Sequence, residues 1–164
     1  MDFLIVLSIV VVLIFSFVIF RGAPYLPTLK QQIEDALDLL DMQRGQTLLE
    51  LGSGDGRFLG AAAKRGLYSV GYELNPLLVI WTRIRYYKYR KFISVRWGDY
   101  WKTDWPDTDG MYVFLLQKYM KKLDTKVVQY ANDKPYKVVS FGFTIPDRKP
   151  TKTKKGLRLY VYKQ

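Results

Sequence analysis

The sequence predicts an α/β fold in which a mostly parallel sheet carries helices on both faces and ends in an antiparallel strand, preceded by one apolar helix. Three observations lead to this prediction. Strand-like and helix-like segments alternate over residues 47–131, a glycine-rich turn joins the first strand to its helix, and residues 3–20 are almost wholly apolar. The 164 residues suffice for one compact domain with its own core.

The apolar run extends from Phe3 to Phe20 and contains two serines as its only mildly polar members. As a helix it would span about 27 Å, close to the bilayer's hydrocarbon thickness of about 30 Å. A cleaved signal peptide normally starts with basic residues and ends in small ones, whereas Asp2 precedes this run and Arg21 follows it. We therefore predict a transmembrane anchor over residues 1–21.

Charge predicts the orientation of this anchor. The chain holds 26 Lys and Arg against 15 Asp and Glu, a formal net charge of +11, and all of the basic residues follow the apolar run. Because basic segments tend to stay on the cytoplasmic side of a membrane, we expect the rest of the chain in the cytoplasm. The excess positive charge also indicates an anionic neighbour, either nucleic acid or a membrane surface.

Two missing residue types limit the chemistry. The chain has no Cys and no His. It therefore has no disulfide framework, no thiolate nucleophile and no histidine base, and it lacks the commonest ligand of transition metals. We predict no metal site, so catalysis must rely on carboxylates, hydroxyls, lysine, backbone groups or a bound cofactor.

The segments beyond the anchor are predicted in chain order. Residues 22–46 should form a linker and a first helix, with Thr28 and Gln31 as a capping box, and residues 47–164 one α/β domain. A lysine-rich hairpin turn is expected at 151–155, with the last strand added at the sheet edge. Strands are predicted at 47–51, 68–73, 92–97, 111–116, 136–143 and 157–162, and helices at 56–65, 76–91 and 117–131.

The glycine-rich turn lies in Thr47-Leu-Leu-Glu-Leu-Gly-Ser-Gly-Asp-Gly56. Closely spaced glycines let backbone N–H groups approach a ligand. A dinucleotide-binding turn would need a third glycine where Arg57 stands, and a P-loop would end in Gly-Lys-Ser/Thr. The pattern acid-x-G-x-G-x-G instead resembles motif I of class I methyltransferases that use S-adenosylmethionine. That resemblance implies cofactor contacts from Glu50, Gly52, Ser53, Gly54, Asp55 and Gly56.

Two further acids follow the next two strands. Glu73 lies 19 residues after Gly54, and an acid near that spacing binds ribose hydroxyls in nucleoside-binding α/β folds. Alternatively, Glu73 caps the helix that begins at Asn75-Pro76. Asp99 follows the third strand, where an Asp of class I methyltransferases often meets the adenine amino group; the alternative is a plain turn residue. The candidate cofactor contacts of this part of the chain are Glu73, Leu74, Asn75, Asp99 and Tyr100.

The order of these segments resembles one family, the small membrane-anchored lysine methyltransferases that include the adenine nucleotide translocase and ATP synthase c-subunit enzymes. The segments that carry the resemblance are Ala23-Pro-Tyr-Leu-Pro-Thr28, Glu50-Leu-Gly-Ser-Gly-Asp-Gly-Arg57, Gly71-Tyr-Glu-Leu-Asn-Pro-Leu-Leu78 and Ser140-Phe-Gly-Phe-Thr-Ile-Pro146. The resemblance implies a Rossmann-like class I methyltransferase sheet, S-adenosylmethionine as cofactor and a lysine amine as acceptor. One departure is Gln117, where this family leads us to expect proline.

The segment after the fourth strand argues against planar acceptors. It contains Val113-Phe-Leu-Leu-Gln117 in place of the Asn/Asp-Pro-Pro-Tyr of adenine-N6 and glutamine methyltransferases. A lysine amine must only lose its proton, which at a pKa of about 10.4 costs roughly 4.6 kcal/mol at pH 7, and a desolvated, basic pocket lowers that cost. We expect Tyr25, Leu115 and Leu116 on the acceptor side; alternatively, Tyr25 only packs the linker onto the domain.

A basic and aromatic segment occupies residues 83–92. Such a segment suits anionic lipid headgroups or nucleic acid, and it is also compatible with an ordinary solvated face. Given the predicted anchor, the expected partners are the bilayer and a protein whose lysine lies near the membrane surface, in preference to nucleic acid. The alternatives are a methyltransferase acting on a small molecule, a lipid or RNA, and a non-catalytic protein that binds S-adenosylmethionine.

Overall fold

The computed structural model describes residues 3–9, 12, 26–131 and 135–163. Residues 3–9 are helical and exposed. The helices of the α/β domain are α1 (Lys30–Leu40), α2 (Arg57–Lys64), α3 (Pro76–Arg85) and α4 (Gln117–Tyr130), with a short 3₁₀ turn at Tyr87–Tyr89. The strands are β1 (Thr47–Leu51), β2 (Tyr68–Glu73), β3 (Ile93–Trp97), β4 (Gly110–Val113), β5 (Tyr136–Phe141), β6 (Lys152–Lys154) and β7 (Leu157–Tyr162).

The sheet has the strand order β3-β2-β1-β4-β5-β7-β6. Strands β1 to β5 are parallel, and β7 is antiparallel to both β5 and β6. This confirms the predicted mostly parallel sheet with an antiparallel last strand. The predicted edge position of β7 is wrong, because residues 152–154 of the lysine-rich segment pair with β7 and form the edge themselves. Lysines suit an edge strand, since they discourage pairing with another chain.

Helices cover both faces of the sheet, as the alternating pattern predicts. On one face, α1 and α2 pack through Leu37 and Phe58 onto Tyr112, and the Phe58 and Tyr112 rings stack at 3.9 Å. On the other face, α4 packs through Leu123 onto a second cluster that includes Met111. Adjacent residues of β4 therefore point to opposite faces, as a strand buried on both sides requires.

Two predicted strand ends extend too far. The fourth strand stops at Val113, level with the end of its neighbour β1 at Leu51 and one residue before the end of its other neighbour, β5. Residues 114–116 therefore lack a ladder partner and form a loop. The fifth strand stops at Phe141, where Gly142 takes a φ of 79°. The helix predicted over 76–91 also ends early, at Arg85, and continues only as the short 3₁₀ turn.

The predicted capping box of α1 is wrong by one residue. Leu29 occupies the N-cap position, and its backbone N–H donates to the side chain of Gln32 at 3.1 Å. The hydroxyl of Thr28 lies instead 3.3 Å from the hydroxyl of Tyr112, which belongs to β4, the central strand of the sheet. Thr28 therefore connects the segment before α1 to the sheet and does not cap the helix.

Within the parts of the chain that the structure describes, no helix is both long and apolar enough to cross a membrane. The predicted anchor at residues 1–21 lies largely outside the described residues, as does Tyr25.

Candidate active site

The carboxyl ends of the parallel strands surround one cavity of about 400 Å³. This is the edge of an open α/β sheet at which ligands bind, because the loops after successive strands converge there. The loops after β1 to β5 all contribute to the wall, and the incoming segment of residues 26–28 closes one side.

The structure brings together ten of the eleven predicted cofactor residues. Those that line the cavity are Glu50, Gly52, Ser53, Gly54, Asp55, Glu73, Leu74, Asn75, Asp99 and Tyr100. Two of the predicted acceptor-side residues, Leu115 and Leu116, line it as well. Cofactor contact by each of these residues stays a prediction, but they share one cavity although they come from four separate segments.

Gly56 is the exception, and its role is structural. It precedes α2 at a φ of 73°, a left-handed conformation that suits glycine. A Cβ on Gly56 would lie 2.3 Å from the Cγ2 atom of Thr82. This glycine therefore allows α3 to pack closely against the start of α2, and it does not line the cavity.

The carboxylate of Glu73 joins two loops of the cavity wall. It accepts the backbone N–H of Gly54 at 2.8 Å through Oε2 and that of Asn75 at 2.8 Å through Oε1. Burial raises the pKa of Glu73 despite these bonds. Asn75 in turn caps α3, since its side chain accepts the N–H of Leu77 at 2.9 Å. Glu73 thus fixes the loop that starts α3, and it does so from a position in the cavity wall.

Glu50 has a buried carboxyl oxygen without a protein partner. Among the described residues, nothing hydrogen-bonds to Glu50 Oε2 or to the hydroxyl of Ser53, and both residues line the cavity. Burial raises the pKa of Glu50 well above its ordinary value, and the charges of Asp55 and Glu73 add to this. Buried polar atoms are nearly always satisfied in proteins, so these two indicate a ligand that supplies hydrogen-bond donors or positive charge.

Asp55 lies in the wall, but its carboxylate is engaged by two arginines. Oδ1 accepts from Arg57 Nε at 2.9 Å, and Oδ2 accepts from Arg85 at 2.6 Å. Burial by itself raises the pKa of Asp55, but the hydrogen bonds and charges of the guanidinium groups outweigh it and hold the pKa below its ordinary value. Arg57 also donates to the carbonyl of Thr28 at 3.2 Å. Through Arg57 and Arg85, Asp55 therefore connects residue 28, in the segment before α1, to the end of α3.

The loop after β3 forms the wall next to Glu73. Asp99 accepts the backbone N–H of Trp101 at 2.9 Å, so it is a turn residue and a cavity residue at once. The ammonium of Lys126 on α4 donates to the carbonyls of Tyr100 at 2.9 Å and Thr103 at 2.8 Å. Burial raises the pKa of Tyr100, which keeps its phenol neutral. The loop is thus held by a side chain outside the cavity.

Much of the remaining wall is aromatic or aliphatic, and the sequence pattern alone did not indicate most of this part. Its members are Trp101, Phe114, Leu115, Leu116, Tyr119, Phe141 and Phe143, none of which is charged. Rings of Trp101 and Tyr119 lie 5.9 Å apart, and those of Phe114 and Phe141 meet edge-on at 4.9 Å. Of these residues, the sequence predicted Leu115 and Leu116 on the acceptor side, and the segment 140–146 carried part of the family resemblance.

Gln117 has a definite partner in place of the expected proline. Its side chain donates to the carbonyl of Thr144 at 3.0 Å and accepts the N–H of the same residue at 3.2 Å. Gln117 is the first residue of α4, a position that also suits proline. The two hydrogen bonds attach the loop after β5 to α4, and this holds Phe143 against the cavity.

Comparison with known proteins identifies relatives. The family model described as the ANTKMT methyltransferase domain matches residues 50–152. The human ATP synthase c-subunit lysine N-methyltransferase is 34% identical over 129 residues, which are 77% of this chain and 54% of that protein. The mouse adenine nucleotide translocase lysine N-methyltransferase is 35% identical over 130 residues, 77% of this chain and 56% of that protein. The chain thus spans about half the length of these curated relatives.

A solved structure is also similar. The RNA methyltransferase from Salinibacter ruber, in complex with S-adenosyl-L-homocysteine, superposes with a TM-score of 0.75 at 27% identity. The match covers 84% of this chain and 92% of that one. A SAM-dependent methyltransferase from Thiobacillus denitrificans has a TM-score of 0.59 at 17% identity, over 70% of this chain and 49% of that one, and supports the fold.

Proposed function

The chain belongs to the ANTKMT methyltransferase domain family, and from this premise we propose that it transfers a methyl group from S-adenosylmethionine to the side-chain amine of a lysine in a protein. One observation carries the proposal: a single cavity combines a polar half, built from carboxylates and a glycine-rich turn, with an uncharged aromatic half. The relatives named as lysine N-methyltransferases of the ATP synthase c-subunit and of adenine nucleotide translocase support the choice of acceptor.

The polar half fits the cofactor. S-adenosylmethionine carries a sulfonium, an ammonium and ribose hydroxyls, and the unpartnered oxygens of Glu50 and Ser53 can accept or attract such groups. The prediction of this cofactor is confirmed by the methyltransferase family model and by the similar Salinibacter ruber structure, which holds the demethylated product. When bound, the cofactor supplies an electrophilic methyl group; Glu50, Glu73 and the glycine-rich turn would hold it.

The aromatic half suits an aliphatic amine. Uncharged walls disfavour an ammonium ion, so they lower the cost of removing the lysine's proton before transfer. The chain has no histidine, and desolvation with orientation of the amine makes a dedicated protein base unnecessary, since water can take the proton first.

We further propose that the protein is tethered to a membrane, with the domain on the cytoplasmic side. The apolar run of residues 3–20 and the basic character of the rest of the chain support this topology. A linker of six residues, 22–27, reaches about 20 Å at most. Such a tether raises the effective concentration of lysines near the bilayer surface over those of soluble proteins.

The test is to incubate the full-length protein with radiolabelled S-adenosylmethionine and membranes from its own source. We expect label on one or a few membrane proteins, and mass spectrometry of a deletion strain should show the same lysines without methyl groups. Label only on a metabolite or a soluble protein would contradict the membrane-lysine proposal. Protease added outside intact cells should leave residues 22–164 intact; their digestion would contradict the topology.

A second candidate is RNA methylation. The Salinibacter ruber structure is that of an RNA methyltransferase, and residues 83–96 of this chain contain six Lys and Arg without an acid. The labelling experiment separates the two candidates directly. Label that survives nuclease and disappears with protease supports lysine methylation, and the opposite sensitivity supports RNA.

A further inference from the structure

Helix α3 is apolar on the side that faces away from the protein. Ile80, Trp81 and Ile84 follow Leu77 by three, four and seven residues, which places the four side chains on one face. They are exposed by 36%, 52%, 54% and 68%, respectively. Val79 and Thr82, on the opposite side, are buried. A helix on the surface of a soluble domain normally carries polar residues on its outer face, so this stripe needs an explanation.

Basic residues border the stripe. Residues 76–98 contain six Lys and Arg and no Asp or Glu. On one side Arg83 donates to the carbonyl of Val95 at 3.0 Å, and on the other side Arg85 pairs with Asp55. Beyond the helix, Lys88, Arg90 and Lys91 are exposed beside Tyr87, which is itself 64% exposed. An apolar strip with cationic borders and interfacial aromatic residues is complementary to an anionic lipid surface.

The stripe begins at the rim of the cavity. Leu74, Asn75 and Leu78, at the start of α3, line the cavity, while Leu77 faces out. Beside them, the 68% exposed Trp97 donates its indole N–H to the carbonyl of Leu74 at 3.0 Å. A surface that touched this stripe would therefore lie next to the cavity entrance.

The chain that leads to the apolar run also lies near α3. Arg57 contacts both the carbonyl of Thr28 and the carboxylate of Asp55, and Asp55 binds Arg85 at the end of α3. Residue 28 and the last turn of α3 are thus separated by one arginine and one carboxylate. A bilayer that held residues 3–20 would be within reach of α3.

We propose that the α3 face, formed by Leu77, Ile80, Trp81 and Ile84 of α3 together with Tyr87 of the following 3₁₀ turn, lies on the surface of an anionic bilayer and orients the cavity towards it. The apolar side chains enter the boundary between headgroups and acyl chains, and the bordering lysines and arginines meet lipid phosphates. The orienting role rests on the proposed membrane-lysine function. The lipid contact itself does not, since it follows from exposure and charge.

The test uses the full chain, whose lack of Cys allows single labels. Ile84→Cys and Val128→Cys are each labelled with an environment-sensitive fluorophore; Val128 is the matched control, because it is 46% exposed but lies on α4. The proteins are mixed with phosphatidylcholine vesicles, with or without phosphatidylglycerol, that contain a spin-labelled quencher lipid. We expect several-fold stronger quenching at position 84 than at position 128, and more of it with the anionic lipid.

Several results would overturn the proposal. Equal quenching at both positions would exclude a specific contact even if the apolar run holds the protein on the vesicle. If the fluorescence of the label at position 84 changes when RNA is added in place of vesicles, but not when vesicles are added, the face would be assigned to nucleic acid. A response that depends only on protein concentration would assign it to a second copy of the chain.

A second variant connects this face to activity. Ile84→Asp should bind S-adenosylmethionine as tightly as the unmodified protein, but it should transfer radiolabelled methyl groups to membrane proteins about tenfold more slowly. Val128→Asp should match the unmodified protein in both assays. Unchanged membrane labelling by Ile84→Asp would contradict the orienting role. If the unmodified protein labels no membrane protein at all, the proposed function fails while the quenching result still decides the lipid contact.

Discussion

At the scale of single residues, the carboxylates of the cavity differ because their partners differ. Asp55 is held between two guanidinium groups, Glu73 accepts two backbone N–H groups, and Glu50 has one oxygen without a partner among the described residues. Asp55 therefore stabilises the fold, and Glu73 holds the two loops in place. Glu50 is the most available of the three for a cationic ligand. The sequence pattern predicted a cofactor contact for all three; only for Glu73 did it also offer a structural role, at the start of the next helix, where Glu73 accepts the N–H of Asn75.

Replacement of Glu73 by alanine should weaken cofactor binding. The carboxylate lies in the cavity wall and holds Gly54 and Asn75, so its loss removes an acceptor and loosens both loops. We expect a loss of about 2–3 kcal/mol, as for hydrogen bonds to a charged group. Isothermal titration with S-adenosylmethionine measures it, with Asp107→Ala as a control at an exposed carboxylate outside the cavity. Undiminished affinity in Glu73→Ala would remove Glu73 from the site.

In the absence of the cofactor, Glu50→Gln should stabilise the protein against unfolding. This gain in stability should grow as the pH rises. The folded-state pKa of Glu50 is raised above its ordinary value of 4.5, mainly by burial. From about pH 4.5 upward the unfolded state releases a proton that the folded state keeps, so stability falls with pH until the folded-state pKa is passed. Glutamine cannot ionise and avoids this loss.

Thermal unfolding of both proteins at acidic and mildly alkaline pH checks this. The glutamine variant should melt higher at the alkaline pH and nearly equally at the acidic one, and its affinity for the cationic cofactor should be lower. The exposed Asp107→Asn serves as the control and should show neither change. A pH-independent difference between the two proteins would show that ionisation of Glu50 is not the cause.

At the scale of elements, α2 and α3 are joined at one tight contact. Gly56 has no Cβ, and Thr82 of α3 occupies the place where one would lie. Beside this contact, Asp55 binds arginines from both helices. The position of α3, and with it the cavity rim and the exposed stripe, depends on these few atoms.

Gly56→Ala should therefore destabilise the protein more than an ordinary glycine replacement. The left-handed φ alone costs about 1–2 kcal/mol for a residue with a Cβ, and the contact with Thr82 adds to that cost. Gly45→Ala is the matched control, because Gly45 has a φ of 86° but nothing within 4 Å of the new Cβ. Chemical denaturation measures both.

The double variant with Thr82→Ala identifies the cause. It removes the methyl and hydroxyl groups that the new Cβ would meet, so it should recover part of the stability lost in Gly56→Ala. Equal losses in Gly56→Ala and Gly45→Ala, or no recovery in the double variant, would show that the helix contact contributes nothing.

The elements differ in how far the sequence predicted them. The bounds of β1, β2 and β7 were predicted to the residue, because apolar runs end there at acids, glycines or turns. Strand β4 was predicted too long, since a strand ends where its neighbour ends and a single segment does not show its partner. Most of the cavity residues that directly follow β1, β2, β3 and β4 were predicted, but the aromatic wall also joins residues 101, 119 and 143, which the strand order brings together.

At the scale of the whole molecule, the cavity and the exposed apolar face of α3 lie next to each other. The carboxyl edge of the sheet carries the cavity, and the α3 face with its basic border begins at the rim of that cavity. Residues 26–28 line the cavity and are attached to the domain through Tyr112 and Arg57. The segment next to the predicted anchor is thus part of the site, so attachment to a membrane and access of the acceptor are geometrically linked.

A chain shortened to residues 26–164 tests this link. It keeps the described contacts of Thr28, so it should unfold cooperatively and bind S-adenosylmethionine as tightly as the full chain. Without the apolar run it should methylate lysines of membranes from its source about 10- to 100-fold more slowly, because the effective concentration gained by tethering is lost. A terminal His tag and nickel-chelating lipid added to those membranes should restore the rate. Equal rates for the short and full chains would show that the N-terminal segment does not bring the enzyme to its substrate, and weaker cofactor binding by the short chain would show that residues 1–25 contribute to the cavity itself.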